Sequence, residues 1–116
     1  MFNYQIIIEY DGTNFVGWQK QKNGPSIQQT IENTLTKILK EKIALNGSGR
    51  TDSGVHALGQ SAHFKSRFKI NNKLTFLNSV NFFLLKKKIS IIKINKKNIN
   101  FHARFSAKKR EYKYVI

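Results

Sequence analysis

The chain has no cysteine, which removes disulfides and thiolate zinc sites from consideration and fits a reducing compartment. It is also poor in acid. Six aspartates and glutamates stand against 21 lysines and arginines, and the only aspartates are Asp11 and Asp52. Carboxylate-rich catalytic centres are therefore disfavoured from the start. Long apolar runs are missing too. Stretches such as Phe82 to Leu85 and Ile89 to Ile92 fall far short of the roughly 20 residues that span a bilayer. The opening MFNYQIIIEYDG carries neither a basic leader nor a small-residue cleavage site, so no signal peptide and a cytoplasmic location are expected.

What is present fits one globular domain: 116 residues, 13.5 kDa, 40% of them apolar. The net charge of +15 favours a polyanionic partner, because lysines that neutralise phosphates release condensed counterions. Lysine outnumbers arginine 17 to 4, however, and Asn, Ile and Phe are plentiful as well. All have AT-rich codons, so a biased genome accounts for the surplus equally well. Charge becomes evidence here only when it is attached to a site.

Patterning along the chain predicts alternating strands and helices. FNYQIIIEY, residues 2 to 10, is rich in strand formers and ends at the turn signal Asp11-Gly12. After a polar loop to Pro25, Ser26 is placed as a helix N-cap with Gln29 completing a capping box. Ile27, Ile31, Leu35, Ile38 and Leu39 then recur at helical spacing through Lys40. Short strands are expected over 43 to 48 and 60 to 66. A weaker helix is expected over 72 to 85, with Leu74, Leu77, Val80 and Leu84 on one side, and a strand over 88 to 95. The order β-α-β-β-α-β implies an α+β, ferredoxin-like domain over residues 1–100, with two helices on an antiparallel sheet. Residues 101–116, ending in the strand-like YKYVI, read as the start of a second unit. The runs Lys86-Lys87-Lys88 and Lys96-Lys97 fit a solvated strand edge that discourages aggregation, or an RNA-facing surface.

The most distinctive stretch is GSGRTDSGVHALGQ, residues 47 to 60. It satisfies neither the phosphate-loop pattern nor the dinucleotide fingerprint G-x-G-x-x-G. His56, His63 and His102 match no common ligand spacing, so no metal site is expected and these histidines are assigned to packing or hydrogen bonding. Ser53 lacks the G-x-S-x-G elbow of a hydrolase. What is left is the lone carboxylate of Asp52, with Arg50 two residues away to favour its ionised form. Such an aspartate serves as a covalent nucleophile, as a base, or as the cap of an Asx turn. The loop alone does not choose among these.

GRTDSGVHALGQ (49 to 60) resembles the signature loop of the tRNA pseudouridine synthase A family. Three more segments agree in order: EYDGTNFVGWQKQ (9 to 21), Ser26-Ile27-Gln28, and FHARFSAKKREYKY (101 to 114). Together they span nearly the whole chain. The resemblance implies conversion of uridine to pseudouridine at positions 38 to 40 of the tRNA anticodon arm, with no cofactor, by a homodimer. It makes Asp52 the essential aspartate, acting on ribose C1′ or C2′. It makes Tyr112 the aromatic that stacks on the uracil, and Arg50 the side chain that enters the RNA stack when the target base leaves. A flipped-out base costs a few kcal/mol, about what one aromatic stack returns.

The family's chain is about twice as long, and its second half supplies the other wall of the cleft. NSVNFFLLKKKISI, residues 78 to 91, also lacks the proline and acid usual near that place. The resemblance thus leaves three expectations. They are part of an active synthase, a shortened protein acting alone or with a second polypeptide, and an inactive tRNA-binding module. An RRM is disfavoured, since its aromatic signature does not occur.

Overall fold

In the computed structural model, residues 1–11, 26–47 and 57–100 are described. They form one four-stranded antiparallel sheet with two helices. The elements in chain order are β1 (Phe2–Tyr10), α1 (Ile27–Leu39), β2 (Leu45–Gly47), β3 (Ala57–Ser66), α2 (Lys73–Leu84) and β4 (Ile89–Lys97). A single turn of 3₁₀ helix, Leu85–Lys87, joins α2 to β4. The sheet order β2-β3-β1-β4 is that of the expected ferredoxin-like arrangement.

β1 is the central strand and has neighbours on both sides. Tyr4, Ile6, Ile8 and Tyr10 alternate onto its core face and are all buried. Against them pack Ala62 and Phe64 of β3 and Ile89, Ile91 and Ile94 of β4. α1 contributes Ile27, Ile31 and Leu35, each 0% exposed, with Ile38 and Leu39 partly covered. Burying an aliphatic side chain of this size stabilises by about 1.5–3 kcal/mol, so this stripe holds α1 in place more firmly than its intrinsic propensity does. Ser26 caps the helix as expected, its Oγ accepting from the Gln29 N–H at 3.1 Å. The helix stops one residue short of the expectation, at Leu39. Lys40 takes the left-handed conformation (φ 55°) that closes the last turn.

α2 is capped by Asn72, whose Oδ1 accepts from the Thr75 N–H at 3.0 Å. Its buried stripe is Phe76, Val80 and Leu84. Leu77 is partly buried against the core, but Leu74 is 69% exposed and does not belong to the stripe. At 100° per residue Leu74 lies about 120° round from Val80, whereas Phe76 and Leu84 lie about 40° to either side. The sequence pattern missed Phe76 by counting leucines.

Three strand limits also differ. β2 starts at Leu45, two residues later than expected, with Ile43 buried just before it, and Ser48 lies outside the described residues. β4 starts at Ile89 and runs to Lys97, because Lys88 (φ 57°) ends the 3₁₀ turn instead of opening the strand. β3 begins at Ala57, three residues before the expected Gln60. Gly59, read from sequence as the end of the loop, lies inside β3 with φ +83°, where the register against β1 slips between Ile8↔Gln60 and Glu9↔Leu58. It is a β-bulge. A second bulge lies opposite, where β1 pairs Ile8↔Ile91 but Ile7↔Lys93 and leaves Ile92 unmatched. The expected strand 112 to 116 and Trp18 lie outside the described residues.

Candidate functional site

The ends of three strands meet at one end of the sheet. Tyr10, the last residue of β1, pairs with Ala57 at the start of β3 and with Ile89 at the start of β4. With neighbouring strands about 4.8 Å apart, Ala57 and Ile89 stand roughly 10 Å from each other across Tyr10. The segment 48–56, which contains Arg50 and Asp52, leaves β2 after Gly47 and rejoins the sheet at Ala57. Both of its attachment points are therefore fixed by the ladder, one beside Ala62 and the other beside Tyr10.

Side chains reinforce both points. At the β2 side, two α1 residues one turn apart hold the backbone of Leu45. Glu32 Oε2 accepts from the Leu45 N–H at 2.8 Å, and Gln28 Nε2 donates to the Leu45 carbonyl at 2.6 Å. Glu32 is 5% exposed, so this is a charged acceptor spent on one buried amide. At the β3 side, Tyr10 donates its phenolic O–H to Gln60 Oε1 at 2.8 Å, tying the end of β1 to the residue after the bulge. Asp11, the other aspartate, donates its N–H to the Lys88 carbonyl at 3.1 Å and so joins β1 to the turn before β4. Asn81 performs a similar office from α2. Its amide donates to the Ile91 carbonyl at 3.0 Å and accepts from the Ile91 N–H at 2.7 Å.

Beside this junction lies an open cleft of about 420 Å³, lined by Glu9, Tyr10 and Asp11 on one side and Leu85, Lys88 and Ile89 on the other. Its mixed lining and openness suit a large polar ligand laid across the surface better than an enclosed small molecule. Glu9 and Asp11 supply the carboxylates of the cleft, and the strands and helix beyond it are basic. Residues 57 to 100 contain ten lysines and arginines and no acid. Among the described residues no group of three histidines, cysteines or carboxylates is placed to hold a metal ion. His63 is 3% exposed, in the middle of β3, and engaged in its surroundings.

Asp52, Arg50 and Tyr112 lie outside the described residues, as do His56 and His102. What is described is the frame that carries the first two. Sequence reasoning did not find the Leu45 clamp or the Tyr10–Gln60 bond. Gln28 and Glu32 are four apart on α1, but that spacing does not distinguish a face turned to a strand's backbone from one turned to water. The glycine inside a strand-like ALGQ was the one available signal for the bulge.

The architecture defines an α+β half-domain, an antiparallel four-stranded sheet with two helices. A family model described as tRNA pseudouridine synthase matches residues 6–106, and the chain belongs to that family. It is similar to tRNA pseudouridine synthase A of Pelagibacter ubique, 57% identical over 116 residues, which is 100% of this chain and 47% of that protein. The corresponding protein of Neorickettsia sennetsu is 50% identical over 113 residues, covering 97% of this chain and 46% of its own length. That of Thermodesulfovibrio yellowstonii is 46% identical over 116 residues, covering 100% and 45%. The chain spans about half the length of the curated relatives it matches. No helix among the described residues is long and apolar enough to cross a membrane.

Proposed function

We propose that this chain carries the aspartate-bearing half of a tRNA pseudouridine synthase, acting on uridine at positions 38 to 40 of the anticodon arm. The observation that supports it most is the family match through residues 6–106, which takes in the whole 49 to 60 loop, on a frame that fixes both ends of that loop. In this reading residues 1–100 are the catalytic-loop domain and 101–116 open the second half.

Asp52 is the group that meets the ribose, either adding to C1′ or taking a proton from C2′. The bond from C1′ to uracil N1 breaks, the ring turns in the pocket, and C5 bonds to C1′ as the carboxylate leaves that carbon or, on the second route, as the proton returns to C2′. The C5 proton is then lost and N1 gains one. Nothing is added or removed overall, so no cofactor is required. Tyr112 stacks on the displaced uracil, returning on the order of 1–3 kcal/mol of the flipping cost. Arg50, a planar cation, takes the place of the base in the RNA stack or pairs with phosphate. The lysine-rich surface holds the arm through its backbone and reads shape more than sequence. The working form is a cytoplasmic homodimer.

The half-length match to the relatives supports a second reading, in which the chain binds tRNA but needs a second polypeptide for chemistry. Tritium release from an unmodified tRNA transcript labelled at uracil C5 separates the two. Release by the chain but not by its Asp52→Asn variant is the expected result. A folded chain that binds tRNA and releases nothing selects the second reading. A chain that neither binds nor releases removes both.

A further inference from the structure

We propose that the turn between α2 and β4 is an RNA-backbone contact separate from the loop that holds Asp52, formed by Lys86 and Lys87 with Phe82 as a stacking face. The inference rests on the tRNA reading above and adds a site to it. Lys86 and Lys87 occupy an exposed 3₁₀ turn. Phe82, in the last turn of α2, is 76% exposed and Leu85, just after the helix, 75%, although the opposite face of α2 is buried through Phe76, Val80 and Leu84. Lys86 is four residues beyond Phe82, so the cation and the ring share one side of the helix end. The ring also lies edge to face with that of Phe83, centroids 5.5 Å apart. Lys37 of α1 sits over the Phe83 ring at 4.7 Å, which adds another positive charge to the same neighbourhood. α2 and the turn carry no acid, and the carboxylates nearest them, Glu9 and Asp11, belong to β1 and the residue after it, on the lining of the neighbouring cleft.

Position supplies the remaining argument. Leu85 and Lys88 line the cleft at the sheet end where Tyr10 separates the roots of β3 and β4, so the turn stands on the same end as Ala57, to which the segment carrying Asp52 is joined. An isolated lysine run fits codon bias as well as binding. A lysine run beside a solvent-facing ring, at the end of the sheet where segment 48–56 rejoins β3, matches a nucleic-acid surface, where phosphates and bases are met together.

The test is binding of an unmodified anticodon stem-loop RNA by the full chain across a potassium chloride series. Three variants are compared: Lys86→Gln/Lys87→Gln, Phe82→Ser, and the control pair Lys69→Gln/Lys73→Gln. The control removes the same charge at the opposite end of the sheet, where both lysines are also exposed. The turn pair should lower the slope of log affinity against log salt by about 1.4–1.8, the counterion release expected for two phosphates. Phe82→Ser should weaken binding roughly five- to a hundredfold with its salt slope unchanged, because stacking releases no counterions. The control pair should leave the slope near that of the wild type. Equal slopes for the two lysine pairs, with wild-type binding intact, overturn the proposal and leave the tRNA reading standing. Absence of wild-type binding overturns both. If Phe82→Ser dissociates a dimer in analytical ultracentrifugation without changing RNA affinity, the face belongs to a second copy and the proposal fails.

Discussion

Replacing Glu32 by alanine tests whether α1 controls the strand that feeds the Asp52 loop. Among the described residues β2 has three ladder pairs, Leu45↔Phe64 to Gly47↔Ala62, and these contribute little cooperativity of their own. Its first residue is held instead from the helix, by Glu32 on the N–H and Gln28 on the carbonyl. Removing the carboxylate leaves the Leu45 amide, in a residue 1% exposed, without its acceptor. A hydrogen bond to a charged group at a buried site is worth about 1.5–3 kcal/mol, a sizeable part of a stability on the order of 5–15 kcal/mol. With a urea dependence of about 1.5 kcal/mol per molar, the unfolding midpoint should fall by about 1–2 M. Glu32→Gln retains an acceptor and should lose about half as much. Amide exchange at Leu45 should accelerate in the alanine variant before exchange in β1 does, since the strand is released locally. An unchanged midpoint, or a Leu45 amide as protected as in the wild type, refutes the reasoning and makes the contact incidental.

Two further substitutions probe other parts of the frame. Gly59→Ala meets no steric barrier, its Cβ lying 3.8 Å from Ile7 Cγ2, so the penalty is the left-handed backbone alone, about 1–2 kcal/mol in urea unfolding. Gly59→Asn should recover part of it, and equal loss for the two would point to packing instead. Tyr4→Phe removes the hydroxyl that accepts from the Ile70 N–H at 2.7 Å while keeping the ring 5.7 Å from Phe64, and should cost about 1–2 kcal/mol. A neutral result there would mean that Ile70 finds another acceptor.

Periodicity and caps were legible where a single physical rule decided the outcome. Ile27, Ile31 and Leu35 gave α1, and Ser26 gave its start, because an apolar stripe and a hydroxyl cap are local properties. The β-α-β-β-α-β order and antiparallel sheet followed from counting elements. Legibility failed where two strands had to be considered together. Gly59 looked like loop because the strand that bulges around it is recognised only opposite β1, and the slip that turns Ile92 out, 48% exposed, shows only in the pairing of β4 with Ile7 and Ile8. Leu74 was misplaced for a simpler reason, a leucine-weighted pattern that passed over Phe76. For the site, the motif in 49 to 60 pointed to Asp52 and Arg50, while the hydrogen bonds that fix the roots of the loop join residues up to 50 positions apart and leave no trace in any one segment.

The two bulges beside β1 carry a consequence for the sheet as a whole. Gly59 and Ile92 are each extra to the pairing scheme, with partners assigned on both sides of them and none to the residue itself. Deleting either would leave every other cross-strand partnership as it stands: Gln60 would still face Ile8, Leu58 would still face Glu9, and Ile91 and Lys93 would keep Ile8 and Ile7. What would change is the local bend and twist that an extra residue introduces. Connectivity and curvature are thus written at different positions in this sheet. A one-residue deletion can flatten the sheet next to Ala57, where segment 48–56 rejoins it, without rewiring it, so the tilt of the sheet there can vary among sequences that share the same strand partners.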